Sequence, residues 1–312
     1  MYLFHIDNTY ILVDAGLSLP DWKKKFFSEL QKLNLSIHDI DYLIITHDHP
    51  DHVGLMKGIK DQNPDIQVLM HEITHDVIKW MTDPKNDDEI KKSAEELKER
   101  SMKYGLTEKM AKNIFGFSTN MHRMIPYVKP DKILNDNDEI KFDSTTLKFI
   151  WTPGHSLGHI CVFDEKNRHL FAGDHILSRI TPNIGTSMVT SSIEKKVDFT
   201  NILDFYLKSL DKIDQLNSKI IFPAHQEVIF DPHKRILEMK QHHDNRLSEV
   251  SKMIENKALT PHEISQIHFG DDLDGMNTLL ALSEVLSHLI YLEYQGKIKR
   301  IEKDSKLYFL KS

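Results

Sequence analysis

The chain combines short apolar runs with longer stretches in which apolar residues recur at the spacing of a helix. Apolar runs of four or five residues, bounded by turn residues, predict β-strands. These strands are predicted at Thr9 to Val13, Tyr42 to Ile45, Ile66 to Met70, Glu139 to Phe142, Leu147 to Trp151, Ile160 to Phe163, His169 to Ala172 and Lys219 to Phe222. Apolar residues three and four positions apart predict helices at Asp21 to Leu33, Asp198 to Leu210 and Leu279 to Glu293. This succession is typical of an α/β fold.

The segment from about Glu72 to Val128 has a different pattern. It is rich in Lys and Glu, its Met and aromatic residues recur at helical spacing, and it predicts two or three helices. We expect this insertion to form a lid over the substrate, the alternative being a surface or dimer-forming embellishment. The lid residues expected to contact substrate are Met121, His122, Met124 and Tyr127.

A composition shift near Ile229 to Pro232 predicts a domain boundary, which gives domains at 1–230 and 231–312. The second domain is helical, and Thr260 and Glu263 form a predicted capping box. It closes with a predicted β-ribbon at Lys297 to Ile301 and Lys306 to Leu310.

The composition and net charge of the chain indicate which classes of molecule it binds. The 312 residues are 40% hydrophobic and 28% charged, as in a globular protein. A net charge of -7 is not the electrostatic footprint of a nucleic-acid or anionic-membrane binder, which favours a small-molecule substrate. Cys161 is the single cysteine, so we expect a reducing cytoplasm. No apolar run reaches the ~18 residues of a membrane span, and Met1 to Leu19 lacks the features of a signal peptide.

The highest density of side chains that can bind a metal lies in six residues directly after a predicted strand. His47, Asp48, His49, Pro50, Asp51 and His52 place three imidazoles and two carboxylates on one loop. Side chains two positions apart in an extended loop point the same way, so His47 and His49 can converge on one ion. Pro50 turns the chain, and Asp51 and His52 can then face a neighbouring ion. This donor set suits Zn²⁺, and Fe²⁺, Mn²⁺ and Co²⁺ also fit.

Three further strand ends carry residues that can bind a metal. His155 follows the strand ending at Trp151, Asp174 follows Gly173, and His225 follows Pro223 and Ala224. Each alone has an ordinary structural explanation. Four strand ends with such residues in one chain predict a site, because sheet-based enzymes build their sites there.

In these motifs the chain resembles the metallo-β-lactamase superfamily, whose fold is an αββα sandwich. The resemblance rests on TH-x-H-x-DH at Thr46 to His52, GHS-x-GH at Gly154 to His159, GD at Gly173 and Asp174, and PxH at Pro223 to His225. It implies that His47, His49 and His155 bind one metal, that Asp51, His52 and His225 bind a second, and that Asp174 bridges both. Asp14 and His159 resemble the residues that orient these ligands from outside.

The C-terminal part resembles the winged-helix domain of one branch of this superfamily. That branch has a metal site like that of hydroxyacylglutathione hydrolase but lacks its glutathione-binding tail. Residues 235–312 contain eleven Lys or Arg against twelve Asp or Glu, so a nucleic-acid partner is not favoured over packing or a homodimer. On the first helix of this part, His242, His243 and Arg246 are candidates to reach the substrate.

The resemblance predicts a dinuclear hydrolase. Two divalent ions would share a water, lower its pKa and leave a bridging hydroxide as nucleophile, with Asp51 and Asp174 as the catalytic carboxylates. We expect an ester, thioester or lactone substrate. The alternatives are a metallo-nuclease or phosphodiesterase acting on single-stranded RNA, and a non-catalytic metal-binding regulatory protein.

Overall fold

In the computed structural model, which describes residues 1–118, 125–185 and 200–312, two five-stranded sheets are formed by strands between Tyr2 and Pro223. The strands of the first sheet lie in chain order; the first pair is antiparallel and the other pairs are parallel. They are β1 (Tyr2–Ile6), β2 (Thr9–Val13), β3 (Ile40–Ile45), β4 (Gln67–His71) and β5 (Lys132–Leu134). β1 and β5 were not predicted. β1 pairs with β2 across a turn in which Asp7 has a φ of 52°.

The second sheet contains β6 (Glu139–Lys141), β7 (Thr146–Trp151), β8 (Ile160–Asp164), β9 (His169–Gly173) and β10 (Ile220–Pro223). Its order is β10-β9-β8-β7-β6, and it is antiparallel except where β10 pairs with β9. All five strands fall where the apolar runs predict them. The predicted α/β class is confirmed.

Side-chain alternation along β2 places the first sheet between two apolar layers. Ile11 and Val13 face one way and pack with Phe149, Val162 and other residues of the second sheet. Leu12 faces the other way, into a cluster formed with helices. A period of two along the strand produces this division. The helices that follow these strands are α1 (Pro20–Lys32), α2 (Pro50–Val53), α3 (Met56–Gln62) and α4 (Glu72–Thr82).

Contacts divide the chain into two compact units. The first comprises Met1–Asn86, Met121–Pro182 and Asp211–Arg235, and the second comprises Asp87–Asn120, Asn183–Leu210 and Ile236–Ser312. The part of the predicted insertion from Asp87 onward therefore groups with C-terminal residues, because one of its helices contacts a long C-terminal helix. The domain boundary at residue 230 stays a prediction.

The second unit is mainly helical. Its described elements are α5 (Asp87–Lys103), α6 (Glu108–Ser118), most of α7 (Ile202–Gln215), most of α8 (Pro232–Met253), α9 (Pro261–Phe269), α10 (Gly275–Tyr294), β11 (Ile298–Lys303) and β12 (Lys306–Lys311). The predicted capping box is confirmed: Glu263 accepts the Thr260 N–H at 2.7 Å and Thr260 Oγ1 accepts the Glu263 N–H at 3.2 Å. Among the described helices, none has the length and apolar content needed to cross a bilayer.

Removal of the Phe149 side chain tests the layer between the sheets. Phe149 is fully buried there, so Phe149→Ala is expected to lower the free energy of unfolding by about 3 to 5 kcal/mol. Phe230 is 77% exposed, and Phe230→Ala serves as the control, with an expected change within about 0.5 kcal/mol. Urea unfolding followed by circular dichroism measures both; equal effects would contradict the assignment of this core.

Candidate metal centre

The fold brings the ends of four strands together. The loop after β3 carries His47 to His52, the loop after β7 carries His155, and Asp174 and His225 follow β9 and β10. Gly173 has a φ of 50°, and a Cβ atom there would lie 2.5 Å from His159 Nε2. A glycine is therefore required immediately before Asp174.

One group of side chains consists of His47, His49 and His155. Each offers a nitrogen, and the three nitrogens lie within 4.8 Å of one another. His49 Nδ1 and His155 Nε2 are 3.1 Å apart. These are the three residues that the resemblance assigns to one ion.

A second group consists of Asp51, His52 and His225, again with ligand atoms within 4.8 Å. Asp51 Oδ2 lies 3.2 Å from His225 Nε2 and 3.6 Å from His52 Nε2. These are the three residues that the resemblance assigns to the other ion.

Asp174 lies between the two groups. Its Oδ2 is 3.5 Å from His155 Nε2, whereas its Oδ1 is 3.6 Å from His52 Nε2 and 3.4 Å from His225 Nε2. One carboxylate oxygen thus faces each group. A carboxylate placed in this way can bridge two ions.

Several polar atoms here have no hydrogen-bond partner among the described residues. They are His47 Nε2, His52 Nε2 and Asp174 Oδ1, and all are buried. A buried polar atom without a partner is destabilising, by roughly 1 to 3 kcal/mol each. The unpaired nitrogens and oxygen converge on shared space, and imidazole and carboxylate are donors that divalent transition ions prefer. The side chains therefore fit a metal ion.

The charges of the centre favour the same chemistry. Burial lowers the pKa of His47 well below its ordinary value, which keeps its lone pair free. Hydrogen bonds to Asp174 and Asp51 raise the pKa of His225 to about 10, so without an ion this imidazole carries a proton between two carboxylates. A metal ion would take the place of that proton.

Asp14 contacts one imidazole directly and a second one through Thr46. Its backbone has a φ of 63°, and its Oδ1 accepts the Thr46 N–H at 2.8 Å. Its Oδ2 accepts a hydrogen bond from His52 Nδ1 at 2.8 Å, which leaves the lone pair of His52 on Nε2, toward Asp174. The Thr46 hydroxyl lies between Asp14 and His47 Nδ1, 3.0 Å from the latter.

His159 holds the backbone of Asp174. Its Nε2 accepts the Asp174 N–H at 3.1 Å, so its Nδ1 carries the proton and donates to Thr152 Oγ1 at 2.8 Å. Asp14 and His159 are thus placed where they can orient the candidate ligands, as the resemblance implies for them.

A contact not predicted from the sequence joins two of the loops. Ser156 Oγ donates to Asp48 Oδ1 at 2.6 Å, and this hydrogen bond connects the His47 to His52 loop with the loop that carries His155. Each of these two residues is adjacent in the sequence to a candidate ligand, which is a signal that could have singled them out. Their hydrogen bond to each other, however, depends on how the two sheets pack, and the local sequence pattern does not show this.

The residues predicted to contact substrate fall in different parts of the chain. Met121, His122 and Met124 lie outside the described residues. Tyr127 is partly exposed, with its hydroxyl 3.3 Å from His75 Nε2. His242, His243 and Arg246 belong to the second unit, where His243 and Arg246 are buried. Contact of any of these residues with substrate stays a prediction.

Comparison with known proteins gives the family. A family model described as "Metallo-beta-lactamase superfamily" matches residues 1–225, and one described as "Metallo-beta-lactamase-like, C-terminal domain" matches residues 247–311. The chain belongs to the metallo-beta-lactamase superfamily. It is accordingly a metal-dependent hydrolase, which disfavours the alternative of a non-catalytic metal-binding protein.

Similar proteins of this superfamily come from several organisms. The chain is 25% identical over 300 residues to a protein named "Probable metallo-hydrolase YqjP" of Bacillus subtilis, covering 96% of this chain and 89% of the relative. It is 22% identical over 304 residues to an "Atrochrysone carboxyl ACP thioesterase" of Aspergillus fumigatus, covering 91% of this chain and 55% of that protein. A crystal structure of a metallo-beta-lactamase family protein from Thermus thermophilus matches with a TM-score of 0.79 and 25% identity, covering 100% of this chain and 93% of that one.

Replacing Asp14 tests its orienting role. Asp14→Asn keeps the shape and tolerates the positive φ, but it removes the charge that holds the His52 proton on Nδ1. We expect metal affinity to fall about 10- to 100-fold. Asp7→Asn, at another positive φ in the turn between β1 and β2, is the matched control and should bind metal like the wild type. Competition with a chelating dye measures the affinities; an unchanged Asp14→Asn affinity would refute the role.

Proposed function

We propose that this chain hydrolyses an ester, thioester or lactone with the help of two divalent ions, which we take to be Zn²⁺. The observation that carries the proposal is the position of Asp174, with one oxygen facing His155 and the other facing His52 and His225. Two groups of ligands that share one carboxylate are the arrangement of a dinuclear centre.

The donor set supports zinc. Three imidazoles in one group, and two imidazoles with a carboxylate in the other, are ligand sets that Zn²⁺ accepts while leaving a position free for a reactant. Fe²⁺, Mn²⁺ and Co²⁺ accept the same donors, so the choice among them depends on supply as well as on affinity.

When bound, two such ions lower the pKa of water toward neutrality and polarise the bond to be cleaved. The protein residues have their own roles. Asp14 and His159 fix the directions of His52 and Asp174. The Asp48 to Ser156 hydrogen bond holds two of the ligand loops in register. Such pre-organisation lowers the cost of reaching the transition state.

The exposure of the side chains gives the direction of substrate approach. His52 is 2% exposed, whereas Asp51 and His225 are 37% and 46% exposed. The open side of the centre is therefore the side of Asp51 and His225. Asp51 Oδ2 faces the two imidazoles, which leaves Oδ1 to hold the proton released by the attacking water.

The proposed substrate class rests on the net charge of the chain and on the name of a similar protein. A net charge of -7 disfavours a polyanionic RNA, and α10 contains two Glu but neither Lys nor Arg. The similar Aspergillus protein is named a thioesterase. We therefore rank thioesters first. We also propose that the succession α8, α9, α10, β11 and β12 is a winged helix that packs within the protein rather than reading nucleic acid.

A substrate panel tests the proposed class. Zinc-loaded protein is assayed with an acyl thioester, a lactone, a β-lactam and single-stranded RNA. We expect turnover of the thioester or the lactone, and its loss after chelation and return after zinc is restored. Turnover confined to RNA would instead support the phosphodiesterase alternative and would refute this proposal.

The bridging position of Asp174 is tested by Asp174→Ala. Both groups lose a ligand at once, so we expect the zinc content to fall and kcat/KM to drop by at least about 100-fold. Replacing a residue that only hydrogen-bonds to a ligand already lowers metal affinity or activity by up to about 100-fold, and loss of a ligand should cost at least as much. Asp143→Ala, an exposed carboxylate of the same unit, is the control. Full metal content together with full activity in Asp174→Ala would contradict the bridging role.

A further inference from the structure

A second group of buried side chains with metal-binding donors lies in the second compact unit. His243 is on α8, and Glu284 and His288 are on α10. The exposed fraction is 0% for both histidines and 7% for Glu284. Each residue offers one ligand atom, and the three atoms lie within 4.8 Å of one another. Glu284 and His288 are four residues apart, which places them on the same face of α10.

The hydrogen bonds of His288 determine its tautomer. Its Nδ1 lies 2.7 Å from the carbonyl oxygen of Glu284, and only an N–H can donate to a carbonyl. The lone pair of His288 is therefore on Nε2. An imidazole whose second nitrogen donates to a backbone carbonyl is the usual arrangement of a histidine that binds a metal.

The lone pair of His288 meets a second imidazole. His288 Nε2 lies 3.1 Å from His243 Nδ1, the same separation as between His49 Nδ1 and His155 Nε2 in the first unit. Either a proton or a cation can lie between two such nitrogens. A proton on His243 Nδ1 leaves Nε2 of that ring as a buried lone pair with no partner in the described part of the chain.

The buried carboxylate of Glu284 has only weak or distant polar contacts. Its Oε2 accepts the Ile184 N–H at 3.4 Å, and its Oε1 is 3.7 Å from His288 Nδ1 and 3.8 Å from Arg246 Nη1, both beyond hydrogen-bond distance. Burial raises the pKa of this carboxyl to about 7. Arg246 is shared with Glu249, 3.8 Å from its Nε, and its guanidinium lies 4.8 Å from the centre of the Phe269 ring. A cation beside Glu284 would supply the missing partner.

We propose that His243, Glu284 and His288 bind a Zn²⁺-like divalent ion that joins α8 to α10. Two imidazoles and one carboxylate are a donor set that zinc accepts, with a fourth position left for water. The site is independent of the proposed hydrolytic centre, and its role is structural: an ion there compensates the buried carboxylate of Glu284 and takes up the facing lone pairs of His243 Nδ1 and His288 Nε2.

Metal counting tests the site. Protein is loaded with excess zinc, desalted, and measured by plasma mass spectrometry. We expect Glu284→Gln and His288→Gln each to hold one zinc ion fewer per chain than the wild type. Glu284→Gln keeps an oxygen to accept the Ile184 N–H, so a purely hydrogen-bonding role would leave the metal count unchanged. His233→Gln, an exposed histidine near the start of α8, is the matched control and should keep the wild-type count.

Equal zinc counts in folded wild type and variants would overturn the proposal. A measurement on the wild type avoids dependence on the folding of variants: anomalous scattering at the zinc edge from crystals of the loaded protein. We expect a peak about 2.0 to 2.2 Å from the donor atoms of His243, Glu284 and His288. No peak there would also overturn the proposal. Peaks at the centre formed by His47 and its neighbours are observed separately, so the two sites can fail or succeed independently.

Discussion

The structure depends on how polar side chains are satisfied where four loops meet. Three imidazole or carboxylate atoms of the candidate metal centre are buried without a hydrogen-bond partner in the described residues, and two of them, His52 Nε2 and Asp174 Oδ1, lie 3.6 Å apart. Packing alone does not produce such an arrangement, because each buried lone pair that is left unpaired destabilises the fold. Divalent ions would satisfy these atoms at once, and the same ions would supply the reactivity of the proposed hydrolase.

The fold supplies the precision that this arrangement needs. Two apolar layers fix the first sheet, and the candidate ligands lie immediately beyond the strands. Positive φ angles at Asp14 and Gly173 turn the chain beside two candidate positions, the carboxylate of Asp14 that contacts His52 and the proposed bridging ligand Asp174. Substitution at either position therefore affects chemistry as well as stability.

Much of this was predictable from the sequence, because strands and metal ligands are local signals. The run from Tyr42 to Ile45 predicts β3, and the histidines directly after it predict the site. β1 and β5 were missed, although for β1 the residues Asp7 and Asn8 between two apolar runs are a turn signal. The contact between Ser156 and Asp48, and the burial of Glu284 beside His243 and His288, were not predictable. These depend on which distant elements pack together, and helical periodicity shows only that a face is apolar.

The central claim is that seven side chains from separate loops enclose a pair of ions. X-ray absorption at the zinc edge of the loaded protein tests it most directly. The account predicts nitrogen and oxygen neighbours at about 2.0 to 2.2 Å, with no sulfur, and a second zinc about 3.5 to 4 Å away. A spectrum without a zinc neighbour at that distance would contradict the dinuclear centre.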